Sequence, residues 1–461
     1  MDAAYPPSQT TNGHEARRLL GLGLPLVGSA VAGFAIHMTD VLMLGWYDVV
    51  ALAAATIAST LWFNLFIFGA GFGNAVSPLV ASAIAEGDDT RARRLTRMAF
   101  WLSAGFSVLT IPAFWWSEAL LLAIGQEPQV AALAQDYLRI AMWGLPLHLG
   151  GNVMRNYLGA QGLTRVQLWV TMGAVLFNAG VNYALIFGNL GAPELGIRGA
   201  AIASILTQAL TLLILCLYAE RVLPEAKLFQ RIWRDDAEAR GRVFRLGLPI
   251  GLTSLFEAGL FAASTVMAGW FGAIPLAAHG IALQLAALTF MFHVGMSQAA
   301  TIRAGGAYGR RSEADLRRVG LVSILVALAF ALVVVAVFVA IPGPLVALFV
   351  DPAEPARAAL ISVGASLVLM AALFQLADAA QIIALSLLRG VQDTAVPMWL
   401  AMVSYWGIGL PAGYVAGFVL DWGVQGVWLG LTIGLAAAAA SMMWRFWRRS
   451  VRIGVRAAAT G

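Results

Sequence analysis

The sequence predicts an all-α membrane protein: twelve transmembrane helices in two pseudo-symmetric six-helix bundles. Three observations lead there. The 461 residues are 60% hydrophobic and only 11% charged, outside the range of a soluble domain. Apolar runs long enough to cross a bilayer, about 20 residues each, recur along the whole chain. The second half of the sequence also repeats the first.

Taken in order, the apolar segments run roughly over 19–44, 52–84, 97–122, 131–156, 166–188, 197–219, 246–270, 276–302, 318–341, 357–387, 395–418 and 424–445. Several exceed the minimum span, so tilt or extension beyond the lipid is expected. Around them the chain divides into a polar N-terminal tail (1–16), a first lobe (17–219), a polar linker (220–244), a second lobe (245–446) and a basic tail (447–461). The tail lacks the basic-then-apolar form of a cleavable signal, so the N-terminus is expected to stay where it is made. Cys216 is the only cysteine, which excludes a disulfide framework and a cysteine metal site. Pro25 and Pro249 are expected in the first turns of their helices, a tolerated place.

Cations choose the side. With the N-terminus inside, the inner loops hold Arg17 and Arg18, the cluster Arg91, Arg93, Arg94 and Arg97, Arg155 and Arg165, the basic linker, the stretch Arg303 to Arg318, Arg389, and Arg445 to Arg456. The outer loops hold only Arg198 and Arg357. This asymmetry places both termini in the cytoplasm of a cell whose inner (plasma) membrane the chain spans many times. The net charge of +5 is therefore a topology signal, and nucleic acid is not expected as a partner.

The repeat is explicit. Offset by 224 residues, GLPLVGSAVAGFAIHMTDVLMLGW (23–46) lies over GLPIGLTSLFEAGLFAASTVMAGW (247–270), pairing Pro25 with Pro249, Met43 with Met267 and Trp46 with Trp270. The register holds from Gly71 over Gly295 to Arg93-Arg94 over Arg317-Arg318. TRVQLWVTM (164–172) matches TAVPMWLAM (394–402) at an offset of 230. Six helices per half is an even number, so both halves should face the same way about an axis along the membrane normal, with the substrate path between them.

Three carboxylates interrupt the apolar segments: Asp40, Glu257 and Asp378. An acid at mid-membrane costs roughly 2.5–3.5 kcal/mol on insertion scales, so such residues mark ion or substrate pathways. Glu257 lies twelve residues beyond Arg245 and Asp378 eleven before Arg389. At 1.5 Å per residue both sit ~17–18 Å from the cytoplasmic edge. No Lys or Arg is expected at that depth in the C-terminal half, which leaves a mobile cation as partner. Oxygen ligands suit a hard ion such as Na⁺, and two close carboxylates can instead hold a proton. Asp40 lies nearer the outer end. Asn178 and Asn182, one turn apart on the fifth span, share a face and could meet it. His37, three residues from Asp40, is a second candidate partner.

Weaker signals come from His279 and His293 on the eighth span, which a satisfied buried imidazole explains equally well. Phe290, Phe292 and Phe374 could line a pocket for organic cations, although packing also accounts for them; Gln284 is a further candidate contact. No phosphate-binding loop, HExxH or GxSxG motif is present, so no enzyme is expected, and nothing resembles the repeated selectivity loop of a channel.

The segments GLPLVGS with TDVLMLGW, MRNYLGAQGLTR, FNAGVNYALIFGNLG, GLPIGLTSLFEAGLF and LADAAQIIALSLLRGVQDTAVPM together resemble the multidrug and toxic compound extrusion (MATE) family, most closely its bacterial NorM-type branch, over about residues 17–445. The resemblance implies a V-shaped pair of six-helix lobes that exports small organic cations in exchange for Na⁺ or H⁺, needs no cofactor beyond that ion, and works as a monomer. It places Glu257 and Asp378 in the cation site of the C-terminal lobe, and Asp40, Asn178 and Asn182 in the polar cluster of the N-terminal lobe. Proton-coupled relatives often carry Asp where Asn182 stands. NorM-like sequences usually read His-Gln at His279-Gly280. A lipid-linked glycan flippase or polysaccharide exporter shares the two-lobe plan but should show basic residues for phosphate; an intramembrane enzyme is the distant alternative.

Overall fold

A computed structural model describes residues 11–453. Residues 1–10 of the expected N-terminal tail and 454–461 of the basic tail, with Arg456, lie outside the described residues. Among those described the chain is helical throughout, with no strand. It divides into two compact units, one Gly28–Gly251, the other the described residues up to Val27 together with those from Leu252 onward.

The first unit holds most of α1 (Asn12–Tyr47), α2 (Val49–Asn74), α3 (Val76–Ala85), α4 (Asp89–Trp115), the short α5 (Ser117–Ala123), α6 (Pro128–Ala141), α7 (Leu145–Ala160), α8 (Thr164–Phe187), α9 (Ile197–Val222) and the beginning of α10 (Ala237–Gly269). Two of its helices, α2 and α4, start where an aspartate cap satisfies a free amide. The Asp48 carboxylate accepts from the Val50 N–H at 3.1 Å and that of Asp88 from the Arg91 N–H at 2.8 Å. Gly188, at φ +71, ends α8 in the left-handed region that glycine enters without penalty. The linker from α9 to α10 is pinned to α4: Arg97 donates to the Leu228 carbonyl at 3.0 Å and Trp101 to that of Ile232 at 2.7 Å.

The second unit holds the start of α1, the remainder of α10, α11 (Ala273–Gly309), α12 (Glu313–Ala340), the short α13 (Pro342–Ala347), α14 (Arg357–Gly390), α15 (Ala395–Met402), α16 (Leu410–Tyr414) and α17 (Gly423–Arg445). Wider π turns at Val403–Gly409 and Val415–Val419 flank α16.

The duplication reappears as geometry. A Cβ added to Gly71 on α2 would lie 2.4 Å from the Gly247 carbonyl oxygen of α10; one added to Gly295 on α11 would lie 2.4 Å from the Val27 nitrogen of α1. Gly71 and Gly295 are repeat equivalents, as are Gly23 and Gly247. In each unit a bare backbone therefore admits the opening segment of the other half's first helix. The α7–α8 and α14–α15 turns also agree, each with a positive φ at the offset of 230: Gly162 at +78 and Gln392 at +59.

Among the described residues eleven helical stretches are long and apolar enough to cross a membrane. Side chains such as Leu109 (78% exposed) and Leu176 (76%) stand on faces that suit lipid. The segment expected as an unbroken fourth span is instead α6 and α7 joined by a 3₁₀ turn at Met142–Gly144. Pro146 is the second residue of α7; lacking an N–H, it cannot close the α-helical bond back to residue 142. The prolines 25 and 249 also lie deeper than expected. Because α1 starts at Asn12 and α10 at Ala237, both fall inside their helices rather than in the first turns. At 36 residues α1 is roughly 54 Å long and outruns a hydrocarbon core of about 30 Å.

Candidate functional site

The first unit gathers Asp40 from α1, Asn178 and Asn182 from α8, and Ser204 from α9. Asn182 donates through Nδ2 to Asp40 Oδ1 at 2.5 Å and to Asn178 Oδ1 at 3.1 Å, while Ser204 donates to Asp40 Oδ2 at 3.3 Å. Both asparagines are fully buried. The cluster is joined because Asn178 and Asn182 are one turn apart and project from one face. Two buried amide atoms keep no partner, Asn178 Nδ2 and Asn182 Oδ1; the second is a free acceptor of the kind a cation uses. His37 forms no hydrogen bond with Asp40.

The second unit gathers Glu257 from α10, Asp378, Gln381 and Arg389 from α14, and Tyr405 from the first π turn. Asp378 is 2% exposed and Glu257 half-buried. Neither carboxylate has a hydrogen bond or an ion pair among the described residues. The two lie within electrostatic reach of each other, and Glu257 within reach of Arg389 and Tyr405. Gln381 donates to the Tyr405 hydroxyl at 2.6 Å and keeps a buried, unpartnered Oε1.

Arg389 corrects the expectation that no cation comes within reach of this acid pair: it acts on Glu257. Counting depth along the axis ignored the length of an arginine and the lean of helical side chains toward the N-terminus. Eleven residues are close to three whole turns, so Arg389 lies on the face of α14 that carries Asp378. It forms no ion pair with either acid among the described residues.

The other expected contacts are spread out. His279 is fully buried; Trp428 donates to its Nδ1 at 3.0 Å, and Thr265 Oγ1 lies 3.2 Å from its Nε2. With Nδ1 accepting, Nε2 carries the proton, and the ring is a satisfied, neutral packing element. Buried His293 places Nε2 3.4 Å from the Ala327 carbonyl and leaves Nδ1 unpartnered. Phe374 packs edge-on against Phe261 and Trp428. Phe292 stacks on Phe330 with centroids 3.8 Å apart. Phe290 is half-buried and Gln284 exposed. Beside them Gln375 donates to Thr289 and keeps its own Oε1 unpartnered. Ser204, Gln381, Arg389 and Tyr405 were not anticipated.

No group of three or more His, Cys, Asp and Glu side chains able to hold a metal occurs among the described residues. An ion at Glu257 and Asp378 would complete its shell with neutral oxygens, for which the Gln381 amide oxygen is available. A single-charged, exchangeable ion suits such a shell better than a resident divalent metal.

Apolar helices in two duplicated units, each with buried acid and amide groups, define a multi-pass membrane protein of the transporter class. The chain belongs to the MatE family, whose profile matches residues 25–184 and 249–415. It is 42% identical over 446 residues, 96% of each chain, to the probable multidrug resistance protein NorM of Rhizobium meliloti. Over 429 residues, 93% of this chain and 92% of that one, it is 41% identical to the probable multidrug resistance protein NorM of Agrobacterium fabrum. Among solved structures it shares its fold with an outward-facing multidrug resistance MATE family transporter of the MOP superfamily. The TM-score there is 0.84 at 20% identity, covering 97% of this chain and 99% of that one.

Proposed function

We propose that this chain is a secondary antiporter that exports small organic cations in exchange for Na⁺ or H⁺ by alternating access, and that the ion binds at Glu257 and Asp378. The observation that carries this reading is a pair of acids, one of them almost fully buried, with no hydrogen-bond partner of their own. A buried charge in that condition is tolerated only where something mobile visits it. The relatives named for multidrug resistance support the substrate class. The arginine distribution supports an inner-membrane protein with both termini in the cytoplasm; a monomer is the proposed working unit. The 17–219 and 245–446 lobes are the proposed functional halves, and Asp40 with Asn178 and Asn182 forms a second polar station. A glycan-phosphate ligand would need an excess of basic groups at the site, whereas the single arginine there, Arg389, lies within reach of the Glu257 carboxylate.

Ion binding drives export only if it favours one conformation over the other. A hundredfold gradient of drug requires about 2.7 kcal/mol, and one charge entering down 150 mV supplies roughly 3.5 kcal/mol. One-for-one exchange with a monovalent drug cancels that electrical contribution and leaves the ion's concentration gradient.

The test uses proteoliposomes in which a Na⁺ gradient and a pH gradient are imposed separately while efflux of several dyes is followed. One of the two gradients should drive export. Glu257→Gln should insert normally and lose it; normal ion-driven ethidium efflux in that variant would refute the assignment.

A further inference from the structure

The antiport reading leaves the charge count at its own site open, and Arg389 bears on it. The guanidinium Nε of Arg389 is buried without an acceptor, and no described residue pairs with the side chain. The nearest acid in sequence, Asp393, is already engaged: Arg445 donates to both its oxygens at 2.8 and 3.0 Å, and Ser450 adds a third bond at 2.8 Å. On the other side of Arg389, along the same helical face, stands Asp378, 98% buried and unpartnered. Across from it is Glu257, within electrostatic reach and not closed into an ion pair.

We propose that Arg389 is a tethered cation of the Glu257–Asp378 site, holding the place of one mobile ion, so that the pair takes up a single monovalent cation per cycle. The inference rests on the antiport reading. Two carboxylates and one guanidinium leave one uncompensated negative charge. One arriving ion neutralises it. When that ion leaves, the long arginine side chain can close on Glu257, so the site is never left with two bare charges in a low-dielectric setting. The open approach of guanidinium and carboxylate is what this role needs: a locked bidentate pair would exclude the ion, and a distant cation would not compensate the acid.

The experiment uses the full chain in proteoliposomes with ethidium as the singly charged probe. The membrane potential is held at zero with equal K⁺ on both sides and valinomycin, the ion gradient that drives the wild type is fixed, and the dye gradient at which net flux stops, set against that ion gradient, gives the cations taken up per dye. Arg389→Gln should take up one more cation per dye than the wild type. Arg389→Lys, which keeps the charge, should keep the wild-type ratio whatever its rate. Glu257→Gln should lose ion-driven efflux, and adding Arg389→Gln should restore it at least tenfold, because one carboxylate without its arginine again carries one negative charge. A purely structural role for Arg389 would not produce that rescue. An unchanged ratio in Arg389→Gln, or a double variant no faster than Glu257→Gln alone, overturns the proposal while the antiporter stands. Should Arg389→Gln fail to insert, the double variant, whose net site charge equals that of the wild type, decides. Dye efflux indifferent to both ion gradients in the wild type overturns the antiport reading itself, and this inference with it.

Discussion

The two buried acid sites solve one problem in opposite ways. In the first unit Asp40 is surrounded by neutral dipoles, with Asn182 and Ser204 donating to its two oxygens. In the second, Glu257 and Asp378 have no donors, only each other and the incompletely engaged Arg389. Dipoles fixed by neighbouring helices stabilise a charge permanently. A bare pair of acids stores an unfavourable arrangement that an incoming cation relieves. The contrast therefore separates a carboxylate that the protein has satisfied from one that it keeps available.

The comparison breaks most visibly if Asp378 is neutralised. Asp378→Asn should abolish ion-driven efflux, at least a tenfold loss, and yet raise the melting temperature in detergent. It removes an unpartnered buried charge and leaves Glu257 free to pair with Arg389, a gain of about 1 kcal/mol or more. Asp40→Asn should instead lower the melting temperature, because its charge-assisted hydrogen bonds are weakened at a cost of about 1 kcal/mol. Equal destabilisation by the two substitutions would show that both acids are held in the same way, and the distinction between the sites would be lost.

What the sequence disclosed follows the same division. Hydropathy located the spans because lipid selects on composition, and the repeat was visible because the prolines, tryptophans and arginines that punctuate it recur in register. It did not show that Pro146 breaks the fourth span into α6 and α7, since an apolar count is blind to a missing N–H. Asp40 and Asn182 could be paired from helical spacing within α8. Gln381 and Arg389 were equally legible in principle, three and eleven residues from Asp378 on one helix face, but a depth count along the axis hid them. Tyr405 was not legible: a π turn rotates it off the 3.6-residue register. His279 looked chemically suggestive, and the structure shows why it need not be, since Trp428 and Thr265 occupy both of its nitrogens.

A second pair of regions sharpens the lesson about burial. The first helix of each half is clamped near its start by an arginine. Arg303 meets Glu15 of α1 through two bonds, at 2.8 and 2.7 Å, with both side chains 5% exposed or less. Arg94 meets Asp236, the residue before α10, where the side chains are 42% and 18% exposed. Removing one partner of the buried pair strands a charge, so Glu15→Gln should cost about 3 kcal/mol of stability, little altered by salt. Thermal melts at low and high ionic strength measure this directly; a salt-sensitive or negligible loss would place Glu15 in a wetter setting than the one described.

The exposed clamp carries the smallest effect and one with a definite pH signature. The hydrogen bond from Arg94 holds the Asp236 carboxyl below its ordinary value against the opposing effect of partial burial, with the Ala239 N–H and the arginine's charge adding to the lowering. A carboxyl depressed on folding contributes stability that is fully present above its unfolded value, about 3.9, and is lost as pH falls through the lower, folded value. Between neutral pH and pH 5 the wild type and Asp236→Asn should therefore differ by a constant amount, about 1 kcal/mol or less for so exposed a pair. Below that the difference should shrink, and high salt should diminish it at every pH. The Ala239 N–H bond to Asp236 Oδ1 at 3.0 Å caps α10, and Asn can also accept there. What the substitution removes is thus the charge rather than the cap, and a gap between the two melting curves that grows toward acid would contradict the ion pair described here.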